Sequence, residues 1–200
     1  EITGLTGSPA VPGNLNQSFG NFVFNSPALT SGILSLGGQL TDISGDLIFV
    51  STGTKQVRLA SGGSGYSLSI GGDFIVQGGI ISLAFGQISP TTIIVGDGSS
   101  GGNFIMNGGL VNLGANQSEN VTIDLFGSFT KSGGNISVGS TAGQRIIRFI
   151  GTGIDQNYSI DALSASALLS IVVETGATLN LGTSSLVTTG TSGTFTCNGT

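Results

Sequence analysis

Histidine and tryptophan are absent from the 200 residues of this chain, and cysteine occurs once. Without histidine, neither a Ser-His-Asp nor a Cys-His catalytic arrangement can form within the chain, and histidine metal sites are excluded as well. A single cysteine, Cys197, rules out an intrachain disulfide. Because no histidine is present to activate its thiol, we expect Cys197 to be a small apolar core residue.

Charged residues are also scarce, at 8% of the chain against about 25% in an average soluble protein. Surface helices are built largely from lysine, glutamate and arginine, so this scarcity favours an all-β protein. Only five residues are basic and the net charge is −5, which excludes a basic track for nucleic-acid phosphates. No apolar run reaches the roughly 20 residues that cross a bilayer as a helix.

Glycine, by contrast, is abundant, with 36 residues in a chain whose mean hydropathy is +0.38. The glycines recur in phase with phenylalanines. A unit that begins Gly72-Asp73-Phe74 returns at Gly102-Asn103-Phe104 and again at Gly127-Ser128-Phe129, and in each copy a glycine pair begins four residues after the phenylalanine. A unit that recurs at such a period indicates a solenoid.

Apolar residues extend this repeat over most of the chain. The predicted ladder is Ile43, Leu68, Ile93, Ile123, Ile147, Ile171 and Phe195. Its steps are 24 or 25 residues except for one of 30, which we attribute to about five extra residues in a looped-out turn at 96–101. Most ladder residues are followed two places later by another apolar residue, as in a strand with one buried face. The period predicts about three short strands and three turns per coil.

Stacked coils would place equivalent residues above one another, about 4.8 Å apart. The predicted inward columns are Phe74–Phe104–Phe129, Ile81–Val111–Ile136 and Leu83–Leu113–Val138. The glycine pairs are expected to mark a corner that needs a positive φ or a bulge. Asp73, Asn103 and Ser128 precede the phenylalanines, and we expect them to bond turn amides on the outside.

The predicted fold is therefore all-β, a right-handed single-stranded parallel β-helix with about 24–25 residues per coil over residues 18–200. Residues 1–17 are predicted to be a lead-in or the end of a preceding unit, and the β-helix is expected to continue or be capped beyond Thr200. A sandwich of antiparallel hairpins is the alternative, but in-phase recurrence favours the solenoid. Residues 152–170 break the phase of the pattern, and within them residues 162–169 are expected to form a short helical turn or a protruding loop.

Candidate chemistry is limited to a few carboxylates. Asp46 and Asp73 are close to one period apart, and glycosidases use two carboxylates that face a sugar. We favour the interpretation that both are outer turn residues that bond local amides. Asp97 lies in a glycine-rich loop, but calcium β-roll and EF-hand patterns are absent, so it is interpreted as a turn former.

Residues 55–58 form a small basic spot, interpreted as a solvated face. No catalytic, cofactor-binding or metal-binding residue is assigned, and no cofactor is expected.

Asparagine also occurs in six Asn-x-Ser/Thr triplets. They begin at Asn16, Asn116, Asn120, Asn135, Asn157 and Asn198. Chance and the demand for turn formers explain most of them in a chain of this composition, and they act as glycosylation sites only in a host that uses that pathway.

The Gly-(Asp/Asn/Ser)-Phe-x-x-x-Gly-Gly unit, together with the later stretches 175–182 and 193–196, resembles the parallel β-helix repeats of large secreted bacterial surface proteins. Such repeats are common in adhesin-like proteins exported by the type IX secretion system of Bacteroidota. The resemblance implies a secreted, cell-surface location. It also implies partners among other segments of the same long chain, other cell-surface or secretion proteins, and glycans. Carbohydrate-cleaving relatives of this fold carry catalytic Asp or basic clusters that match no positions here.

These observations favour a non-catalytic structural or adhesin segment that projects or presents a binding surface. The alternative is a polysaccharide-binding or polysaccharide-cleaving β-helix fragment, whose active residues lie on one sheet face or outside this piece. A third hypothesis, an ice- or crystal-binding solenoid, needs a flat ladder of outward threonines. Residues 188–196 are threonine-rich, but residues 60–140 supply no such ladder.

Overall fold

The computed structural model describes residues 1–7, 10, 12–86, 90–114, 119–139, 143–160, 169–182 and 193–200. Every named element in that part of the chain is a β-strand, and the strands pair in parallel. They stack as a β-solenoid of about seven coils, which confirms the predicted fold class. The described part of the chain contains no apolar helix of membrane-spanning length.

A full coil passes through three faces in order. The first face consists of β2 (Ser18–Phe19), β5 (Asp42–Ile43), β8 (Tyr66–Ile70), β11 (Thr91–Val95), β13 (Val121–Leu125), β15 (Arg145–Phe149), β17 (Leu169–Val173) and β19 (Phe195–Cys197). The second face consists of β1 (Ile2–Thr3), β3 (Phe22–Asn25), β6 (Leu47–Ser51), β9 (Phe74–Val76), the first parts of β12 (Phe104–Asn112) and β14 (Phe129–Ser137), β16 (Asp155–Ile160) and β18 (Thr178–Asn180). The third face consists of β4 (Leu34–Ser35), β7 (Gln56–Ser61), β10 (Ile80–Phe85) and the second parts of β12 and β14.

The first face carries the predicted apolar ladder. The confirmed pairs are Leu68–Ile93, Ile93–Ile123, Ile123–Ile147, Ile147–Ile171 and Ile171–Phe195. The first predicted step is wrong, because Ile43 pairs with Ile70 and not with Leu68. The coil after Ile43 is longer because its second corner is a hydrogen-bonded turn, in which the Lys55 amide donates to Thr52 O at 3.2 Å and Thr52 Oγ1 donates to Lys55 O at 2.7 Å.

The second face carries the predicted aromatic column, which is longer than the sequence suggested. The column is Phe22–Leu47–Phe74–Phe104–Phe129–Tyr158, one residue from each of six successive coils. The rings of Phe74 and Phe104 stack with centroids 4.9 Å apart, and those of Phe104 and Phe129 at 5.0 Å. Every member is buried, so this column combines the burial of large apolar surfaces with favourable ring contacts.

The glycine pairs form the corner between the second and third faces, as predicted. The second glycine of each pair has a positive φ: +90° at Gly79, +75° at Gly109 and +73° at Gly134. The register between β12 and β14 also shifts at this corner. Beyond the corner, Ile81 pairs with Val111 and Val111 with Ile136, and Leu83, Leu113 and Val138 are buried next along the chain.

The two ends of the repeat differ from the sequence pattern in detail. Ile2–Thr3, inside the predicted lead-in, pairs with β3, so part of that stretch already belongs to the stack. The predicted helical turn or loop at 162–169 lies outside the described residues except for Leu169, which begins β17. Residues 183–192 also lie outside them.

Candidate functional site

The outer side of the second face carries a row of short polar side chains, which we call the cap row. Its members are Asn21, Asp46, Asp73, Asn103, Ser128 and Asn157. Each immediately precedes a residue of the aromatic column, and because side chains alternate along a strand, each points away from the core. The cap row therefore follows the edge at which each coil enters the second face.

Hydrogen bonds connect the cap row from coil to coil. The side-chain oxygens of the first five members each accept the backbone N–H of the next member, one coil later, at 2.8–2.9 Å. Asp73 Oδ1 additionally accepts Asn103 Nδ2 at 3.0 Å. At a corner, where the strand ladder is interrupted, these amides would otherwise need water or another partner. The prediction that Asp73, Asn103 and Ser128 bond turn amides is confirmed.

Glycines precede the cap row and allow the coils to approach closely. A Cβ built on Gly102 would overlap the carbonyl oxygen of Gly72, and one built on Gly127 would lie 2.6 Å from the carbonyl oxygen of Gly102. Any larger residue at Gly102 therefore has to push adjacent coils apart. This close approach is what brings a side chain as short as aspartate within reach of the next coil.

Asp46 and Asp73 lie on adjacent coils, as their spacing predicted. They do not form an isolated carboxylate pair, since Asp46 Oδ1 accepts the Asp73 amide at 2.8 Å and both are members of one ladder. Both residues bond amides, as interpreted, but each amide belongs to the next coil and is not local. In each carboxylate only Oδ1 is engaged, and Oδ2 accepts no hydrogen bond from the described residues.

Beside the cap row lies an aliphatic stripe that sequence reasoning missed. It consists of Val23, Ile48, Ile75 and Ile105, which pair in register across four coils and are each half-buried. The row continues with Thr130 and Ser159, so the apolar part is limited to these four coils. A signal was present, because each stripe residue directly follows a column residue and must point outward.

The loop at 96–101 is the looped-out turn that the 30-residue step predicted. Oδ1 of Asp97 accepts four hydrogen bonds, from the amides and hydroxyls of Ser99 and Ser100, at 2.7–2.9 Å. These bonds, with the Ser99 hydroxyl first, hold the pKa of Asp97 well below its usual range. Asp97 is a turn former, as expected, and the described residues contain no group of three or more potential metal ligands.

The basic spot at 55–58 is partly engaged within the chain. The guanidinium carbon of Arg58 lies 3.2 Å from the centroid of the Phe85 ring, a cation–π contact, and Arg58 Nε donates to Gln56 Oε1 at 2.8 Å. Burial lowers the pKa of Arg58. These two contacts hold the Arg58 side chain against the third face, so its guanidinium does not extend freely into solvent.

Two ion pairs were not anticipated from the sequence. On the inner side of the first face, Arg145 Nη2 lies 3.4 Å from Glu119 Oε2, with both side chains at most 1% exposed, and Glu119 Oε1 accepts the Gly86 amide at 3.0 Å. Burial lowers the pKa of Arg145 and the charge of Glu119 opposes that shift. The register places Arg145 between Val121 and Leu169, so its inward direction could have been predicted. A buried pair of this kind is weak evidence for stability, because the cost of removing both charges from water offsets their attraction.

The second pair lies on the outer side of the first face. Arg148 forms two parallel bonds to Asp124, Nε to Oδ1 and Nη2 to Oδ2, both at 2.7 Å, and its Nη1 lies 3.7 Å from Glu174 Oε1. The hydrogen bonds to Asp124 raise the pKa of Arg148. This bidentate geometry fixes the guanidinium on the sheet.

The prediction for Cys197 is wrong. Its backbone is in register with Val173, in the inward row, yet its side chain is exposed. Within the described residues, β19 has a neighbouring strand on one side only, so no further coil covers its inward row. Its Sγ donates to Gly199 O at 3.3 Å.

Comparison with protein-family models, with curated proteins and with solved structures gives no match for this chain. The fold and the geometry of its faces are therefore the observations on which a function can be argued.

Proposed function

We propose that this chain is a non-catalytic structural or adhesin segment of a large secreted cell-surface protein, and that it projects or presents a binding surface. The observation that carries the proposal is the unbroken cap row together with the aromatic column behind it, which link six successive coils by side-chain contacts. Coils that stack about 4.8 Å apart form an elongated spacer whose length grows with the number of coils.

The placement of the carboxylates supports a structural role. Asp46 and Asp73, the pair considered for glycan cleavage, each hold an amide of the next coil. Asp124 is bound to Arg148, Asp97 to its own loop, and Glu119 to Arg145 and the Gly86 amide. These carboxylates are therefore engaged within the solenoid itself.

A product-release assay with purified protein tests the proposal against its enzymatic alternative. Wild type and the double variant Asp46→Asn/Asp73→Asn are incubated with a panel of polysaccharides, and new reducing ends are measured beside binding on a glycan array. We expect no release by either protein, with or without array binding. Cleavage by wild type that is lost in the double variant would replace the proposal by a polysaccharide-cleaving function.

Location is tested separately in cells that make the protein. An antibody raised against the purified chain should label intact cells, and protease added outside should remove the signal. Loss of surface labelling when type IX secretion is disabled is the result expected from the resemblance to exported repeat proteins. Labelling only after the cells are broken open would contradict a cell-surface role.

A further inference from the structure

We propose that the second face binds a protein segment that combines basic and aliphatic side chains, through the carboxylates of Asp46 and Asp73 and the aliphatic stripe beside them. This inference rests on the proposed function, because it names the kind of partner that the presented surface takes.

The two features lie side by side on neighbouring coils. Asp46 and Ile48 are two residues apart in one coil and Asp73 and Ile75 in the next, and residues two apart along a strand project from the same face, about 7 Å from each other. Successive coils pair in register here. The second face thus presents a row of negative charge parallel to a row of half-buried aliphatic side chains.

The carboxylates are able to take a partner without losing their role in the fold. Each uses Oδ1 for the cap row, and no described residue donates to either Oδ2. A lysine or arginine from a partner can therefore pair with Oδ2 while the amide bonds remain intact. An aliphatic side chain next to that cation would cover the stripe, whose half-buried side chains are partly exposed to water in the free chain.

Charge complementarity argues against a second copy of this chain as the occupant. Of the five basic residues, Arg145 and Lys131 are buried, Arg148 is paired with Asp124, and Arg58 is stacked on Phe85, so a second copy would have only the half-buried Lys55 to offer. With a net charge of −5, two copies repel each other, whereas a basic segment is attracted. The stripe is aliphatic throughout, so it offers no aromatic ring for a sugar to stack on.

The test uses the full chain and three labelled peptides of equal length. In the first peptide lysine alternates with isoleucine, in the second glutamate replaces lysine, and in the third serine replaces isoleucine. Binding is followed by fluorescence anisotropy at low and at physiological salt. We expect saturable binding of the lysine–isoleucine peptide, weaker at higher salt because the carboxylates are partly exposed, and about tenfold weaker or undetectable binding of the other two.

Matched variants locate the site. Asn21 and Asn103 already occupy the cap row, so Asp46→Asn/Asp73→Asn keeps the Oδ1 acceptors and removes two charges. Asp42→Asn/Asp155→Asn removes the same number of charges at exposed positions outside the stripe, one on the first face and one at the start of β16, two coils beyond Ile105. Ile48→Thr/Ile75→Thr replaces the stripe by the residue type that Thr130 supplies in the same row. We expect about tenfold weaker binding for the first and third variants and little change for the second.

Three results would overturn the inference: equal binding of the serine peptide, equal weakening by the Asp42/Asp155 control, or no saturable binding of the lysine–isoleucine peptide. A dimer of wild type in sedimentation, lost in the stripe variant, would assign the surface to a second copy instead. None of these results tests glycan cleavage, so the proposed function stands or fails separately, in the product-release assay.

Discussion

At the scale of single residues, glycine decides how closely the coils approach. Four glycines before the cap row have no positive φ, but a Cβ at any of them would lie within 3.0 Å of the backbone of the preceding coil: Gly45, Gly72, Gly102 and Gly127. This differs from the glycine pairs at the next corner, where Gly79, Gly109 and Gly134 need a positive φ. Two physical causes, steric contact and backbone conformation, therefore explain the same residue type in one repeat.

Gly102→Ala should destabilise the chain by about 3 kcal/mol, because the new methyl group overlaps the Gly72 carbonyl and the backbone has to shift. Gly20→Ala is the matched control. Gly20 precedes Asn21, the first member of the cap row, and a Cβ there meets nothing within 4 Å. We expect the control to be neutral or up to about 1 kcal/mol more stable. Urea unfolding measures both, and similar losses in the two variants would contradict this account.

Tyr158 ends the described aromatic column with a buried hydroxyl that has no hydrogen-bond partner in the described part of the chain. Burial raises its pKa to about 12 from an ordinary value of 10. As pH rises through that interval, the unfolded chain releases this proton first, so stability present below pH 10 declines towards pH 12. Tyr158→Phe should lessen this alkaline decline and leave neutral-pH stability unchanged or higher.

Tyr66→Phe provides the contrast, because Tyr66 Oη donates to Leu40 O at 2.6 Å. We expect that variant to lose about 1 kcal/mol at neutral pH. Unfolding in urea from neutral pH to pH 12 compares the variants with wild type. A loss for Tyr158→Phe as large as that for Tyr66→Phe would show that the Tyr158 hydroxyl is satisfied.

At the scale of elements, the strands are short, and continuity along the solenoid comes from the columns and rows that their side chains form. β9 has three residues and β5 has two, too few to be stable alone, but each adds one member to a column or row that passes through many coils. The intrinsic strand propensity of each segment therefore contributes less to stability than the stacking of equivalent residues from coil to coil. The cap row is the clearest case, since it joins strands across a corner at which the sheet hydrogen bonds are interrupted.

Asp73→Ala should cost about 1–2 kcal/mol, because it leaves the Asn103 amide and side chain without their acceptor. Asp73→Asn should be nearly neutral, since an amide oxygen replaces Oδ1 as it does at Asn21 and Asn103. Thermal unfolding and amide hydrogen exchange at Asn103 distinguish the two. Equal effects of alanine and asparagine would mean that the carboxylate charge, and not the acceptor, is what stabilises this position.

At the scale of the whole molecule, the solenoid accepts extra residues at its corners but not within its columns. The loop at 96–101 and the turn at 52–55 lengthen two coils, yet the columns on either side stay in register. Insertions at corners leave the core unchanged because the chain returns to the same position before the next strand begins.

Excision of residues 97–101 should therefore leave the fold intact, with a change of less than about 1 kcal/mol, because Gly96-Gly102 would then match Gly71-Gly72 in the coil before it. Excision of 104–108, within β12, removes the same number of residues from a column and should abolish cooperative unfolding. Circular dichroism and urea titration compare the two. Loss of the β-structure in the loop variant would show that Asp97 and its serines organise the corner.

The sequence alone was sufficient for the period, the inward columns, the glycine corner and the amide-bonding role of Asp73, Asn103 and Ser128. These features repeat, and stacked coils turn a repeat in sequence into contact in space. The register of Ile43, the exposure of Cys197 and the Glu119–Arg145 pair were decided only by the tertiary structure. Each of them depends on the length of one corner or on which coil covers another, and such single events leave no periodic signal in the chain.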